Sequence, residues 1–480
     1  MVGRWIRFGL SGLLLAWALS QPVQASEDFS KWFDAFKTSA TDTALHDFLY
    51  NMPKGGDLHQ HLSGSIFSEW WWQLALGKPA QGEIFFTRLR MGNCLPIDAA
   101  AAAGNAQLLF QTISQYRFDR LSACQQTMFT ALAQLNPAEQ QAWMNSVRLD
   151  EPSEGRDEFF ETHWQRLGDV IANPWIMAEA LALHIKAFAD EGLVYLEPQV
   201  TLLGYRDKAG LALTPSEVAI IFRARLNQPD LVKTGVTLRF QQSILRFLPD
   251  AETELAHAYQ IVSDEPEWIA VNMVGREDDD RGHPLRFLET IRGLRQQYPD
   301  VRLSIHAGEV DEPNHHVRDT LLLGADRIGH GLNLISDRQT LIQMRHGPYL
   351  VEINLISNLL LEYVPEFSAH PFPEYLRLGV PVALSTDDRG MWDSTMTDEY
   401  FVAVKSFNLS WSELRRLTEN SIQYSFLAPG PKAVLLVSLD QRFTAFEKRM
   451  QDQDPRQVAA LKISPKRGFV CRKYNLCSRQ

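Results

Sequence analysis

Histidine and acidic side chains cluster in this sequence at the ends of short apolar runs. Imidazole and carboxylate groups are the usual ligands of catalytic zinc, which keeps one coordination position open for water. Residues i and i+2 of a β-strand point to the same side, so His59 and His61 can reach one ion. The pattern therefore indicates hydrolytic chemistry at a metal. The four segments that carry it are His59-Gln60-His61, His306-Ala307-Gly308-Glu309, Gly329-His330-Gly331 and Asp387-Asp388.

The predicted zinc ligands come from three separate parts of the chain. An isolated His-x-His pair is a weak signal, because two surface or hydrogen-bonded histidines give the same pattern. Combined with His306 and Asp387, the pair His59 and His61 predicts one Zn²⁺ per chain, held by three nitrogens and one oxygen. A two-metal hydrolase needs a bridging acid or a modified lysine. The run WIAVNMVG at 268–275 contains no lysine, so a single ion is favoured.

Three further residues are placed to move protons beside this metal. Glu309 lies three residues after His306, where a carboxyl group can hold or donate a proton; the alternative is a surface glutamate in a salt bridge. His330 lies between two glycines and is a second acid/base candidate, the alternative being a core histidine bonded to backbone. Asp388 follows Asp387 and either orients the attacking water or supports a ligand histidine.

Eight apolar, β-branched runs must position these residues. Helix-like amphipathic segments such as 284–298, 317–324 and 338–346 separate them, which is typical of βαβ units and a parallel sheet. Eight such units predict an α/β protein with a closed (β/α)₈ (TIM) barrel, whose catalytic residues meet at the C-terminal ends of the strands. An open doubly wound sheet is disfavoured, because no glycine-rich dinucleotide motif follows the first run. The runs are 56–62, 193–203, 236–247, 268–275, 301–309, 327–331, 349–358 and 380–388.

The barrel accounts for only part of the chain, which we divide into a signal peptide at 1–25 and one barrel domain at 26–480. Residues 63–190 form a long insertion after the first strand, and we expect it to end in a long helical stretch near 159–191. Residues 389–480 form a helical C-terminal extension. Within it, Ser410-x-x-Glu413 predicts a capping box at the start of a helix.

The first residues predict export from the cytoplasm. Arg4 and Arg7 precede a short apolar stretch at 8–19, and Val23-Gln24-Ala25 supplies the small residues of a cleavage site after Ala25. A membrane anchor is the alternative, but the stretch is shorter than the roughly 20 residues that span a bilayer. We therefore expect a periplasmic or secreted protein without a stable membrane anchor.

Cysteine count and charge add two expectations. Four cysteines in an oxidising compartment suggest disulfides, and proximity favours Cys94–Cys124 and Cys471–Cys477 over the other pairings or four free thiols. The formal net charge is −11, and no cluster of basic residues is present, so binding to nucleic acid is not expected. The sequence leaves a homodimer open.

Five motifs, in this order, resemble the adenosine deaminase family. They extend over about residues 52 to 390, most of the predicted barrel. The export signal, the opening at residues 52–56 and the long insertion with cysteines are similar to the secreted, growth-factor-like subgroup. The motifs are MPKGGDLHQHLSGS (52–65), SIHAGE (304–309), RIGHG (327–331), VEINLISN (351–358) and LSTDD (384–388).

The resemblance implies zinc-dependent hydrolytic deamination of adenosine or 2′-deoxyadenosine, giving inosine or 2′-deoxyinosine and ammonia. Glu309 would give a proton to N1 of the purine. His330 and Asp388 would orient and deprotonate the attacking water. The ligands implied for the zinc ion are His59, His61, His306 and Asp387.

The resemblance also implies substrate contacts, and the sequence departs from the family pattern at Ser63, at Asn354-Leu355, where the family has Cys-Pro or Asn-Pro, and at Arg389. Gly275 would bond the purine through its backbone, and His61 would also face the substrate. Ser63 stands where the family often has an aspartate that meets the ribose 5′-hydroxyl, and a neutral hydroxyl bonds more weakly than a carboxylate. Arg389 stands where proline usually follows the aspartate pair. It is either an anion contact at the mouth of the site or, as we favour, an ordinary surface charge.

Two other functions remain open from the sequence. A metal hydrolase on the same barrel could act on a different aminopurine, a pterin or an amide, and Ser63 keeps this alternative in view. A binding protein with a vestigial barrel is the second alternative. It is disfavoured because every proposed ligand and acid/base position is filled.

Overall fold

The computed structural model describes residues 27–94, 108–277, 282–458 and 461–477. The predicted signal segment 1–25 lies outside the described residues. The strands are β1 (Gly56–Asp57), β2 (Phe85–Arg88), β3 (Thr112–Ser114), β4 (Phe129–Ala131), β5 (Tyr195–Leu196), β6 (Thr237–Leu238), β7 (Phe240–Leu245), β8 (Trp268–Val274), β9 (Arg302–Ala307), β10 (Arg327–His330), β11 (Leu350–Ile353) and β12 (Val382–Leu384).

Helices separate these strands. They are α1 (Glu27–Ser39), α2 (Asp42–Asn51), α3 (Ser68–Leu76), α4 (Gln115–Phe118), α5 (Ala123–Gln126), α6 (Pro137–Asn145), α7 (Arg156–Glu158), α8 (Trp164–Leu167), α9 (Pro174–Asp190), α10 (Pro215–Leu226), α11 (Pro229–Val232), α12 (Ala251–Asp264), α13 (Leu288–Gln297), α14 (His316–Leu323), α15 (Arg338–His346), α16 (Leu355–Leu360), α17 (Phe372–Leu378), α18 (Arg389–Trp392), α19 (Met396–Phe407), α20 (Trp411–Gln423), α21 (Pro429–Gln451) and α22 (Phe469–Tyr474).

The eight predicted runs form parallel strands in the predicted order. Strands β1, β5 and β6 make one sheet, and β7 to β12 make a second in sequential order. A bridge between Gln199 and Gln241 joins the two sheets on one side, and a bridge between Gln60 and Asp387 joins the first and last strands. The Asp387 amide also donates to the carbonyl of His59 at 2.9 Å. These contacts bring the eight segments into the ring expected of a (β/α)₈ barrel, and one continuous apolar cluster fills the space between strands and helices.

The hydrogen-bonded strands are shorter than the apolar runs. The largest difference follows β11, because the run predicted over 349–358 includes the first turn of α16. The buried carboxylate of Glu399 accepts the backbone N–H groups of Leu355 and Ile356, at 3.0 and 3.2 Å. A carboxylate at this position satisfies the free donors at the start of a helix. The apolar residues therefore continue the chain as a helix instead of a strand.

The insertion contains a small antiparallel sheet that the sequence did not suggest, in the order β3-β2-β4. The insertion ends in the helical stretch expected near 159–191, but this stretch is interrupted between α8 and α9. Gly168 there has a φ of +49°, and a Cβ atom on it would lie 2.0 Å from the carbonyl oxygen of Thr112. Helix α9 then starts anew, with the Asn173 side chain capping the N–H groups of Trp175 and Ile176.

The C-terminal extension is helical, as predicted, and the capping box of Ser410 and Glu413 opens α20.

Both expected disulfides, Cys94–Cys124 and Cys471–Cys477, are present. None of the described helices combines the length and the apolar character needed to cross a bilayer.

A buried ion-pair network lies inside the barrel. The guanidinium of Arg327 on β10 is almost fully buried and pairs with the carboxylate of Glu197 at 2.5 Å and with that of Glu352 at 2.6 Å. Neither carboxylate is accessible to solvent. Removing the arginine would leave two carboxylates facing each other without a counter-charge.

We predict that Arg327→Met lowers the free energy of unfolding by about 3–5 kcal/mol, because it leaves uncompensated buried charge. Urea denaturation measures this change. The matched control is Arg377→Met, which breaks the exposed pair with Glu374 and should cost less than about 1 kcal/mol. An equal effect of the two substitutions would contradict the account.

Candidate active site

The predicted metal ligands meet at the C-terminal end of the barrel. The ligand atoms of His59, His306, His330 and Asp387 all lie within 4.8 Å of one another. The Nε2 atom of His61 lies 3.2 Å from Nε2 of His306 and 3.2 Å from Oδ1 of Asp387. The structure therefore brings together the four residues proposed as ligands and adds His330 to the same cluster.

Alternation along the first strand explains why both histidines face the site. The intervening Gln60 points the other way, and its side chain bonds His184 on α9. Two site residues depend on unusual backbone, because His330 and Asp387 have φ values of +61° and +52°. Non-glycine residues in this region are uncommon and cluster at functional sites.

Two polar residues orient the imidazole rings. The carboxylate of Glu352 lies 2.7 Å from Nδ1 of His59, and Oδ1 of Asn272 lies 3.0 Å from Nδ1 of His306. In each pair the side-chain oxygen accepts a hydrogen bond from Nδ1–H. The Nε2 atom is then unprotonated and faces the cluster, which is the usual arrangement around metal-binding histidines. Neither residue is predicted from the sequence to take part in the site. The sequence does contain a feature that could have indicated them, since each is a polar residue within an otherwise apolar run: Asn272 in WIAVNMVG and Glu352 in YLVEINLISN.

The unpaired atoms at this position fit a divalent cation. Among the described residues, Nε2 of His59 and Oδ1 of Asp387 are buried and make no hydrogen bond of normal geometry, although they lie 3.5 Å apart and Oδ1 lies 3.2 Å from Nε2 of His61. Burial alone would raise the pKa of Asp387, but its contacts with His59 and His61 hold that pKa well below its usual range. A buried carboxylate surrounded by imidazoles is thus a ready ligand set for a metal ion.

The predicted acid/base residues border this cluster. The carboxyl group of Glu309 is 4 % exposed, and its Oε2 lies 3.6 Å from Nε2 of His330. Burial, together with the charges of Asp387 and Glu277, raises the pKa of Glu309 well above its usual range. This direction favours the protonated form of the carboxyl group, which is the form that a general acid needs.

His330 and Asp388 are held in different ways. The side-chain amide of Asn358 lies 3.0 Å from Nδ1 of His330, and burial lowers the pKa of this imidazole to about 3. Asp388 is also buried, and its Oδ1 has no partner among the described residues. Burial and the adjacent Asp387 raise the pKa of Asp388 well above its usual range.

A cavity of about 1010 Å³ opens onto the cluster. Ser63, Gly275 and His61, the predicted substrate contacts, all line it. Gly275 has a φ of +102°, and a Cβ atom there would lie 2.7 Å from the ring of Phe247. Glycine is therefore required at this position, and its backbone is exposed to whatever fills the cavity.

The expectation that Arg389 is a surface charge is wrong. Its side chain is fully buried between the rings of Phe188 and Phe67 and pairs with Glu191 at 3.0 Å. This contact ties the turn after the aspartate pair to the end of α9. The residue therefore supports the fold behind the site and does not reach the cavity.

Sequence comparison identifies relatives of this chain. A sequence profile of the family described as adenosine deaminase matches residues 137–442, more than half of the chain. An adenosine deaminase of Enterococcus faecalis is 27% identical over 260 residues, covering 54% of this chain and 74% of that protein. An adenine deaminase of Chelativorans sp. is 27% identical over 265 residues, covering 53% and 76%.

Solved structures show the same fold. The N6-mAMP deaminase of Arabidopsis has a TM-score of 0.59 at 20% identity, covering 82% of this chain and 99% of that one. An amidohydrolase of Burkholderia ambifaria with bound zinc has a TM-score of 0.58 at 17% identity, covering 87% and 98%. Together with the ordered motifs and the geometry of the site, the profile match shows that the chain belongs to the adenosine deaminase family.

Proposed function

We propose that this protein is a zinc-dependent deaminase that hydrolyses adenosine and 2′-deoxyadenosine to inosine, or 2′-deoxyinosine, and ammonia. One observation carries the proposal. The buried cluster of three imidazoles and Asp387 lies at the base of a cavity, with the buried carboxyl group of Glu309 beside it. A metal site next to a general acid is the arrangement needed to replace an amino group on a purine by water.

The ion proposed for this site is one zinc per chain, held by His59, His61, His306 and Asp387. Imidazole and carboxylate donors suit zinc, and the Burkholderia ambifaria neighbour contains zinc. When bound, zinc supplies the Lewis-acid chemistry that makes water a nucleophile at neutral pH.

The chain's own residues then move the protons. Asp388, ionised when a cation at the ligand set offsets the charge of the adjacent Asp387, accepts a proton from the attacking water. His330 orients that water toward C6 of the purine. Glu309 donates its proton to N1, so the ring does not develop a negative charge as the new C6–O bond forms. The C6–N6 bond then breaks as the proton held by Asp388 passes to the amino group, which leaves as ammonia. The C6–OH proton returns to Glu309 as the C6=O bond of the product forms. The backbone of Gly275 holds the purine beside Glu309.

The cavity favours a substrate without a phosphate group. Arg276 is the only lysine or arginine among the described lining residues, and its guanidinium already lies 2.8 Å from the carboxylate of Asp157. Phosphate monoesters are normally recognised by several cationic or backbone donors. We therefore propose a nucleoside rather than a nucleotide as the substrate. Ser63 offers the sugar a neutral hydroxyl, which bonds more weakly than the aspartate that the family often has at this position. Because the sugar would then contribute less to binding, adenine is the second candidate substrate.

We further propose that the protein is exported. Both pairs of cysteines in the described residues form disulfides, which persist in oxidising compartments. Together with the predicted signal segment at 1–25, this supports a periplasmic or secreted location.

We predict that Glu309→Gln lowers kcat for adenosine by about 10²- to 10⁴-fold, because an amide cannot donate the proton required at N1. Zinc content should not change, since Glu309 is not among the proposed ligands. Conversion of adenosine to inosine, followed by its absorbance change, measures the effect. The matched control is Glu254→Gln, which removes a carboxylate from the same cavity away from the metal cluster.

The same assay separates the substrates. Adenosine and 2′-deoxyadenosine should be turned over faster than AMP, with adenine as the comparison that tests the need for the sugar. A zinc-loaded wild-type protein that releases no ammonia from adenosine would overturn the proposed reaction. A Glu309→Gln variant with unchanged kcat would instead overturn the role of the acid.

We predict that the protein purified from the compartment to which it is exported begins at Ser26, because the sequence predicts cleavage after Ala25. Amino-terminal sequencing gives the result directly. A mature protein that retains residues 1–25 would contradict the signal-peptide assignment.

A further inference from the structure

The carboxylate of Glu277 lies behind the proposed general acid. Its side chain is fully buried and follows Gly275 at the end of β8. Its Oε2 accepts the backbone N–H of Gly308 at 2.9 Å, and its Oε1 accepts that of Glu309 at 3.2 Å. The two oxygens thus hold both peptide groups that connect β9 to the catalytic carboxyl group.

We call the carboxylate of Glu277 the clamp. A third hydrogen-bond donor, the imidazole of His316, fixes its position. Nδ1 of His316, the first residue of α14, lies 2.7 Å from Oε2 of Glu277. Arg246 lies 3.9 Å from Oε1 and also donates to the carbonyl of His306. Burial would raise the pKa of Glu277, but the His316 bond and the charge of Arg246 lower it to about 2. The clamp is therefore a carboxylate that accepts hydrogen bonds and has no proton to donate.

The clamped turn needs such support. Gly308 has a φ of +76°, and a Cβ atom on it would lie 3.1 Å from Val317 and 3.2 Å from the backbone nitrogen of Asn333. The chain therefore turns sharply between the strand that supplies His306 and the residue that supplies the acid. Because Gly308 has no side chain, no packing contact of its own fixes the direction in which the chain continues to Glu309. Hydrogen bonds to the backbone fix that direction instead.

Glu277 does not reach the substrate cavity. Of the two described cavities, it lines the smaller one, of about 480 Å³, whereas Glu309 lines the larger one. Glu277 therefore affects the reaction only from outside the substrate cavity, by fixing the turn that carries Glu309 and through the charge that helps to raise the pKa of Glu309.

We propose that Glu277 is a positioning residue, whose carboxylate fixes the Gly308–Glu309 turn and so aims the carboxyl group of Glu309 at the purine. The inference rests on the proposed deamination for its kinetic consequence, but the structural clamp stands without it. A small displacement of a catalytic group is sufficient to lower the rate by about 10²-fold.

The first test is Glu277→Gln, which keeps the shape of the side chain but replaces one acceptor oxygen by a donor NH₂ group. At least one of the three N–H groups then faces another donor. We expect kcat for adenosine to fall by about 10- to 100-fold, with KM changed by less than about threefold. The matched control is Glu312→Gln, which removes an exposed carboxylate from the same smaller cavity and should leave both constants unchanged.

Amide hydrogen exchange supplies a readout that does not depend on activity. A peptide covering residues 306–310 should exchange at least about tenfold faster in Glu277→Gln than in the wild type, whereas peptides from α20 should not change. If the wild type does not deaminate adenosine, the proposed function fails, and this exchange measurement still tests the clamp. Unchanged exchange at 306–310, or an increase in KM without a decrease in kcat, would overturn the inference.

A second variant covers the case in which Glu277→Gln does not fold. His316→Ala removes one donor to the clamp and leaves Glu277 itself in place. It should change kcat and the exchange of residues 306–310 in the same direction by a smaller factor, about threefold to tenfold. Wild-type exchange at 306–310 and wild-type kcat in this variant would show that the clamp does not position the acid.

Discussion

The burial of charge at one end of the barrel is the constraint on which the rest of this structure depends. Asp387, Asp388 and Glu309 are all nearly inaccessible to solvent and lie around histidines whose Nε2 atoms converge. Such groups are costly to bury unless each is paired, protonated or bound to a metal. The chain satisfies the constraint in three ways: an acid, Glu309, whose raised pKa favours its neutral form, hydrogen-bonded imidazoles, and a ligand set suited to a divalent cation.

The support for the imidazoles extends through the barrel. His59 is held by Glu352, Glu352 by Arg327, and Arg327 by Glu197, so that charges of opposite sign alternate away from the site. Each link lies on a different strand or strand end. The barrel therefore serves catalysis by bringing side chains distant in sequence to one face and by orienting the rings that meet there.

Much of this arrangement follows from the sequence, and the parts that do not have physical reasons. Apolar periodicity and the polar residues after each run were enough to predict eight strands and a shared site, because parallel strands in a barrel align their C-terminal ends. Glu352 and Asn272 were missed because a polar residue within a strand reveals its role only through its neighbour in space. The burial of Arg389 was missed for the same reason, since its partner Glu191 lies at the end of a distant helix.

Local sequence was least informative where tertiary contacts override it. The run at 349–358 turns into a helix because Glu399, from a later helix, caps it. The helix expected over 159–191 breaks at Gly168, whose packing against Thr112 leaves no room for a Cβ atom. In both places a contact from outside the segment determines the conformation, which a periodic pattern cannot show.

The central claim is that one zinc ion balances the buried carboxylate and imidazole groups at the end of the barrel. Anomalous diffraction from crystals of the purified protein, measured on both sides of the zinc absorption edge, tests it most directly. The account predicts one zinc peak per chain, within bonding distance of His59, His61, His306 and Asp387. A zinc-supplemented crystal with no peak there, or with its peak elsewhere in the chain, would contradict it.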